Sequence, residues 1–597
     1  MSDTPLRTPL RPLARILDAR QRGENPDAIE KENLRLRHEE MRDRDRTRAE
    51  GRILVLGAMF ALAFATIGIK MWVVAESEPA EPRTSIAGAS IVAQRGDIVD
   101  RHGRVLATNL DTYALYAHPH QMVEPERAAR ELAKIFPDLN EERLTKDFTG
   151  KRRFVWIRRK ISPEQRQAVH DLGEPGLLFG PREMRLYPNG AVAAHILGGA
   201  GYGEEGVHAA EIKGTAGVER QFDDYLTDPA NGGKPLELSL DLTVQAASEQ
   251  ILLGGMKVFN AKGATSVLMD VKTGEIISMV SLPDFDPNDR PPLPTEGHPD
   301  DSPLFNRAVQ GVYELGSTFK IFAAAQALDL GLVRPETIID IRGPIRWGRH
   351  SIKDFHWYGN ELSVSEIIIQ SSNIGTARLA EKIGIERQKQ FLADLGLFEP
   401  TPVELIEAPG GEPLIQKQWS ELTTMTVSYG HGISVSPLHL ASAYATVAND
   451  GKRVRPTLLK QAMPSDGPQV MSIPAARQAQ QMLRQVVSEG TASFARIDDY
   501  TIAGKTGTAD KPKPAGGYYK DKVIATFASM FPANDPRYVL IVTLDEAVET
   551  SGDKPRRTAG WTAVPVAAEM ITRVAPLLGL RPEIAHTPVA GITLTSN

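Results

Sequence analysis

Cysteine is absent from all 597 residues. That excludes disulfides, thiolate chemistry and Cys-ligated metal, and it permits an oxidising compartment without demanding one. Aromatic residues are scarce, at 6%. No zinc-type H-E-x-x-H, EF-hand loop, P-loop or G-x-G-x-x-G occurs in a fitting context, so no metal, nucleotide or other cofactor is implied. Neither charge dominates: 69 Lys and Arg stand against 75 Asp and Glu, which gives no reason to expect nucleic acid as a partner.

Only one hydrophobic run is long. Ile53 to Ile69 carries no charge, and it continues past Lys70 through Met71-Trp72-Val73-Val74-Ala75. At about 1.5 Å per helical residue this crosses a hydrocarbon core of about 30 Å. The 52-residue charged stretch before it, with 13 Lys and Arg against 11 Asp and Glu, is too long for the basic region of a cleaved signal peptide. A retained anchor is expected over 53–75. Arg44, Arg46, Arg48 and Arg52 crowd its near side while Glu76, Glu78 and Glu81 follow it. The tail 1–52 is therefore predicted cytoplasmic, and everything beyond the anchor outside. Residues 76–90, with Pro79 and Pro82, read as a juxtamembrane linker.

The chemistry gathers on Tyr313-Glu314-Leu315-Gly316-Ser317-Thr318-Phe319-Lys320, which opens an apolar segment running to Leu328 and ending near Gly331. A segment apolar almost all round predicts a buried helix. On it, Ser317 and Lys320 share a face. A lysine forced into apolar surroundings loses its charge, and a neutral amine beside a hydroxyl is a base beside a nucleophile. The pattern recurs at Ser551 and Lys554, but there Pro555 follows in a polar stretch where no helix holds the pair. Lys-Thr-Gly also occurs twice. Lys272-Thr273-Gly274 sits between two β-rich runs, 263–271 and 276–280, and reads as a hairpin turn. Lys505-Thr506-Gly507-Thr508 lies in a strand of small residues from Thr501 to Ala509, an edge with which an extended peptide can pair. Ser371-Ser372-Asn373 falls between two apolar helical stretches, where helix capping is the plainer alternative.

Further elements frame these motifs. Ile91 to Ala107 reads as strand, tight turn at Gly103, strand; 110–225 mixes short helices and strands without a catalytic constellation. A helix is expected over Leu242 to Phe259, strands over Ile524 to Phe531 and Tyr538 to Asp545, and a helix over Val564 to Leu578. Consecutive strands with short connections favour an antiparallel sheet covered by helices. Asp284 to Pro303 and Asp510 to Asp521 read as loops, with Lys511 to Gly517 dispensable for folding.

The ordered set Ser317...Lys320, Ser371...Asn373, Lys505-Thr506-Gly507 is the triple shared by β-lactamases and penicillin-binding proteins. Arg95 to Gly103, Arg185 to Gly190, Gly217-Val218-Glu219, Phe285 to Asn288 and Ser428 to Gly432 extend the likeness, and the chain after residue 90 resembles the class B penicillin-binding proteins. Asp354-Phe355-His356 and Ser371 to Gly375 look more like the division-specific septal transpeptidase than its elongation counterpart. Leu315 stands where that family usually has Pro, and His102 where it usually has Asn.

The resemblance implies an α+β protein: anchor, an elongated non-catalytic pedestal over 91–235, a transpeptidase domain over 236–580 with an antiparallel sheet flanked by helices, and a tail over 581–597. It implies acyl transfer on peptidoglycan stem peptides ending in D-Ala-D-Ala. In that reading Ser317 is the nucleophile, Lys320 its base and Ser371 the proton relay; Asn373 orients Lys320 and the donor peptide. Lys505, Thr506 and Thr508 receive the terminal carboxylate beside Gly507, and the amides of Ser317 and Thr508 form the oxyanion hole. β-Lactams are implied as inhibitors, and a polytopic glycan polymerase and other division membrane proteins as partners. Elongation-specific cross-linking, or a division scaffold with secondary catalysis, are the alternative jobs. A bifunctional polymerase lacks room between anchor and pedestal, and a hydrolase would share the triple.

Overall fold

The computed structural model describes residues 17–24, 28, 31–32, 35, 52–72, 95–205, 210–348, 350–513 and 516–582. Most of the 1–52 tail, the linker 76–90, the expected strand residues Ile91 to Gln94, Val73 to Ala75 of the anchor and nearly all of the C-terminal tail lie outside them. The chain divides into two compact units: residues up to Glu81 with Ala117–Val155 and Glu174–Gly176, and Pro82–Tyr116 with Trp156–Gly173 and everything from Leu177.

In the first unit, Arg52–Trp72 is one continuous helix of 21 residues, long and apolar enough to cross a membrane, with its apolar side chains exposed. Separately, helices Pro125–Ile135 and Glu141–Thr149 pack through Ala129, Leu132, Leu144 and Phe148. An acceptor side chain holds the chain at each start, and only the second is a helix cap. The buried Glu174 carboxylate accepts from the amides of Val123 (2.7 Å) and Glu124 (2.9 Å), and Asn140 accepts from Arg143 (2.8 Å).

The second unit contains two five-stranded sheets. The pedestal sheet runs in the order 155–161, 105–117, 98–99, 236–237, with 177–186 also paired to 105–117. The expected hairpin is present, Val99 opposite Val105 and Gly103 at φ +80°, but its second strand runs on to Ala117. The other sheet is wholly antiparallel, in the order 503–512, 518–531, 538–545, 263–270, 276–282. Helices Leu242–Val258 and Ala563–Leu577 pack together on it, as do Pro437–Ala448 and Ile473–Glu489. Lys272-Thr273-Gly274 is the turn joining 263–270 to 276–282, and Ser551 to Lys554 is not helical.

Two expectations need revision. The segment Asp510 to Asp521 is largely strand: pairing continues through Asp510 opposite Val523 and, past a bulge, Pro512 opposite Tyr518. Lys511 is no loop residue, since its amine bonds Asp545 (2.7 Å) and Glu546 (2.9 Å) at the end of strand 538–545, two strands away. Small hairpins between 338 and 363 and the helix Ile473–Glu489 were also not legible as separate elements.

Buried charge knits the pedestal motifs together. Glu219 takes the guanidinium of Arg95 on Oε2 (2.7 Å) and that of Arg185 on Oε1 (2.6 Å), and Arg95 also donates to Asp223 (2.7 Å). Two cations meet two anions, so the cluster closes electrically. A second junction joins the pedestal hairpin to the helix at 242. Asp100 accepts from the amides of His102 (2.9 Å), Arg104 (2.9 Å) and Leu242 (3.1 Å), while Arg104 bridges Asp100 and Asp241. His102 contributes its ring to Asp241 at 3.1 Å. Burial pushes the Asp100 carboxyl up, yet the bonds from Arg104, Leu242 and His102 hold it below its ordinary range. Asn288 pairs both its amide groups with the backbone of Tyr187, at 2.9 Å each.

Candidate active site

Leu315 to Lys320 is where the helix begins. Gly316–Phe319 is a tight 3-10 turn that passes directly into the α-helix Lys320–Asp329, whose residues from Lys320 through Leu328 are all buried. Ser317 is half-buried on this turn and its hydroxyl makes no hydrogen bond among the described residues. Phe319, Phe322 and Tyr444 stack edge to face beneath it, at 5.5 and 5.6 Å between ring centres. The Tyr444 hydroxyl, fully buried, donates to the Thr318 carbonyl at 2.8 Å and so pins the turn from below.

Backbone approach pins it from the sides. A Cβ on Gly507 would lie 2.1 Å from the Leu315 carbonyl oxygen, and one on Gly430 would lie 2.1 Å from that of Gly316. Only glycine lets strand 503–512 and the turn at 429–432 close on the serine's backbone. Thr508 is brought alongside as a result, its amide nitrogen 3.3 Å from where a Cβ of Gly316 would stand.

The two lysines converge on Ser371. This residue ends the helix Val364–Gln370 in the left-handed conformation (φ 63°), which turns its hydroxyl inward. Lys505 donates to Ser371 Oγ at 2.9 Å and Lys320 at 3.1 Å, and Lys320 also reaches the Ser371 carbonyl. With both lone pairs of that oxygen engaged, its own proton is left for a third group. Both amines are fully buried. Burial, reinforced by the Lys505 charge, pushes Lys320 well below the ordinary lysine value, and burial pushes Lys505 down to about 7. Asp354 is the acid acting on Lys320 from a distance, but its oxygens are engaged elsewhere.

The remaining predicted residues fall around this pair with some surprises. Ser372, not Ser371 or Asn373, is the helix cap: its Oγ accepts from Gly375 (2.9 Å) and donates to Asp354 (2.8 Å). Asp354 also accepts from the amides of Asn373 (2.5 Å) and Ile374 (3.0 Å). The Asn373 side chain donates to the Lys353 carbonyl at 2.9 Å, so it does not hold Lys320 here. Thr506 is nearly buried and shares a hydrogen bond with Thr491 (2.8 Å), while the Thr508 hydroxyl accepts from Ala559 (3.0 Å). Strand 503–512 pairs only with 518–531, leaving its other edge as the border of the sheet. Among the described residues no cluster of three or more His, Asp or Glu is placed to hold a metal.

Sequence reasoning missed several groups. Glu314 sits three residues before Ser317 and accepts from the Gly432 amide (2.7 Å) and the Tyr518 hydroxyl (3.1 Å), with His431 Nδ1 at 3.0 Å from its other oxygen. The bond to the Glu314 carboxylate raises His431 above its ordinary value against the opposing effect of burial. Asp354, Gly430 and Tyr444 were present only as parts of quoted motifs, and nothing local marked their contacts with the serine turn or with the Ser371 helix pair.

Comparison with known proteins accords with this geometry. Residues 264–568 match the penicillin-binding protein transpeptidase domain, and residues 90–238 the penicillin-binding protein dimerisation domain. A probable peptidoglycan D,D-transpeptidase FtsI from Caulobacter vibrioides is 35% identical over 564 residues, covering 92% of each chain. The peptidoglycan D,D-transpeptidase FtsI of Escherichia coli K12 is 29% identical over 493 residues, or 77% of this chain and 81% of that one. Penicillin-binding protein 3 of Mycobacterium tuberculosis, solved in complex with ampicillin, superposes with a TM-score of 0.63 at 26% identity, covering 83% of this chain and 98% of that one. With a dimerisation domain followed by a transpeptidase domain and a relative this similar along nearly its whole length, the chain belongs to the class B penicillin-binding proteins.

Proposed function

We propose that this chain is a septal peptidoglycan D,D-transpeptidase, cross-linking stem peptides through a serine acyl-enzyme during cell division. The observation that carries the chemistry is the meeting of two fully buried lysines on Ser371 Oγ, with Ser317 one helical turn before Lys320 and its hydroxyl unbonded among the described residues. The FtsI relatives, 35% and 29% identical, support the septal role.

In this reading Ser317 Oγ attacks the carbonyl of the penultimate D-Ala, and Lys320, uncharged because it is buried, takes the hydroxyl proton. The amides of Ser317 and Thr508, on two backbones held in contact by Gly507, receive the developing oxyanion. Collapse breaks the peptide bond; Ser371 passes its proton to the departing D-Ala amine and takes up the one Lys320 received, which leaves the lysine uncharged again. An amine of a second stem peptide then attacks the ester and frees Ser317. Lys505 receives the terminal carboxylate, which favours its charged form from a starting point near 7, with Thr506 and Thr508 beside it. Asn373, on the same rim, takes the donor peptide's backbone. β-Lactams acylate Ser317 in place of the donor, consistent with the relative solved with ampicillin.

The helix 52–72 anchors the chain in the inner membrane, with the basic side of its flanks cytoplasmic and the transpeptidase outside. A polytopic glycan polymerase and other division membrane proteins are the expected partners of anchor and pedestal. Replacing the cell's own copy by Ser317→Ala tests the reading: filaments with normal protein levels are expected, and normal septa would overturn it. Normal septa together with loss of rod shape would move the role to elongation.

A further inference from the structure

The loop Lys353-Asp354-Phe355-His356-Trp357-Tyr358-Gly359 holds two of the most exposed large side chains in the described protein. Phe355 is 82% and Trp357 85% accessible. A soluble surface leaves such rings in water at a cost that burial would remove, and exposed aromatic area of this kind marks contact sites. The loop is not slack. Asp354 fastens it to the helix at 373 by three hydrogen bonds, to Ser372 Oγ and to the amides of Asn373 and Ile374, and the Asn373 side chain returns one to the Lys353 carbonyl. His356 stands edge on between its neighbours, 5.0 Å from the Phe355 ring and 6.2 Å from that of Tyr358. Beside the loop opens a cleft of about 400 Å³ whose lining includes Arg342, Pro344 and Ile374.

Position and composition together select an occupant. The loop is bonded to Asn373, two residues from the Ser371 on which both lysines converge. An extended peptide covers at most about 3.3–3.6 Å per residue, so a stem peptide of a few residues with its end at Ser317 carries its sugar no more than roughly 10–17 Å away. Through the Lys353 carbonyl the loop joins the same 371–373 segment on which the two lysines converge. A pyranose offers a C–H face, which packs on an aromatic ring, and a hydroxyl and acetamido edge, which needs polar neighbours. The loop alternates the two: Phe355 and Trp357 are separated by exposed His356 and flanked by exposed Lys353 and Asn360. A protein partner fits less well, because the buried centre of such an interface is contiguous and depleted in lysine.

We infer that Phe355 and Trp357 form a glycan subsite, binding the N-acetylated amino-sugar strand from which the stem peptide hangs. The inference rests on the transpeptidase reading and deepens it: the enzyme holds sugar as well as peptide, and so favours donors still attached to a strand over free stem peptides.

The test uses the full chain in detergent micelles and fluorescently labelled glycan strands stripped of their peptides, with binding read by anisotropy. The wild type is expected to bind, Phe355→Ala and Trp357→Ala to weaken binding at least about tenfold, and Trp357→Phe to recover most of it; thermal unfolding midpoints report that each variant is folded. The preference, in kcat/KM, for a sugar-bearing over a sugar-free donor is expected to fall by a similar factor. Wild-type failure to bind stripped strands, or alanine variants that bind them as the wild type does, would overturn the subsite. Unchanged strand binding with loss of a co-purifying membrane protein would overturn it in favour of a protein interface. Failure of the transpeptidase reading shows separately, as absence of benzylpenicillin acylation at Ser317 in the wild type.

Discussion

Two places in this protein hide full charges from water, and they do it in opposite ways. At Arg95, Arg185, Glu219 and Asp223 every buried cation faces a buried anion at 2.6–2.7 Å. At Lys320 and Lys505 two amines face a serine hydroxyl, and among the described residues no carboxylate bonds either of them. A compensated cluster serves the fold. An uncompensated one gives up charge instead, which is why burial drives Lys320 far down and Lys505 to about 7. The difference teaches how to separate a structural from a catalytic ionisable group: by what stands opposite it, not by burial alone.

Breaking each cluster in turn sharpens the contrast. Lys320→Met removes the base and a buried polar amine together. Acylation by benzylpenicillin is expected to fall by about 10²–10⁴-fold, while the thermal midpoint holds or rises; a collapse in stability would show that the lysine is structural. Glu219→Gln should do the reverse, leaving two guanidinium groups short of an anion at a cost of about 3–5 kcal/mol, read by denaturant unfolding, with acylation of the folded fraction retained. Gly507→Ala probes the backbone contact between these extremes. Its methyl meets the Leu315 carbonyl at 2.1 Å, and a shift of the serine turn is expected to slow acylation by about ten- to a hundredfold. A rate equal to wild type would mean that strand 503–512 does not set the turn.

How far these groups were legible beforehand divides along the same line. Ser317, Lys320, Ser371 and Lys505 were readable because each sits in a short pattern whose spacing has a chemical reason; hydrogen bonds join Lys320 and Lys505 to Ser371, and Ser317 lies on the turn that opens the Lys320 helix. The antiparallel sheet and the helices at 242 and 563 followed from periodicity, with ends shifted by a residue or two. Arg95, Arg185 and Glu219 were visible as motifs, but their convergence spans more than a hundred residues and no local spacing encodes it. The same holds for Asp354, whose capping of the helix at 373 reaches across 19 residues. Asn373 shows the opposite failure: the motif suggested a bond to Lys320, and the nearer Lys353 carbonyl took the amide. Lys511 was read as loop because Pro and Gly surround it, whereas cross-strand pairing and two carboxylates hold it in the sheet.

The smallest expected effect concerns His431, a partly exposed case between the two clusters. The hydrogen bond to the Glu314 carboxylate comes first among the causes that raise it, burial opposes, and Asp510 adds to the rise. A raised histidine contributes stability that is full below its ordinary 6.5 and is lost as pH rises through the higher folded value. His431→Gln should therefore be less stable than wild type at pH 6 by a margin that shrinks toward pH 9, in thermal unfolding at both ends. A margin that grows with pH would contradict the assignment.

The central claim is that Ser317, activated by the uncharged Lys320, is the nucleophile. Intact-mass analysis of the full chain after incubation with benzylpenicillin, followed by peptide mapping, tests it most directly. A stable adduct of one drug molecule on the peptide carrying Ser317, absent in Ser317→Ala, is the predicted result. A folded protein that leaves the drug untouched, or that carries the adduct on any other residue, would contradict the account.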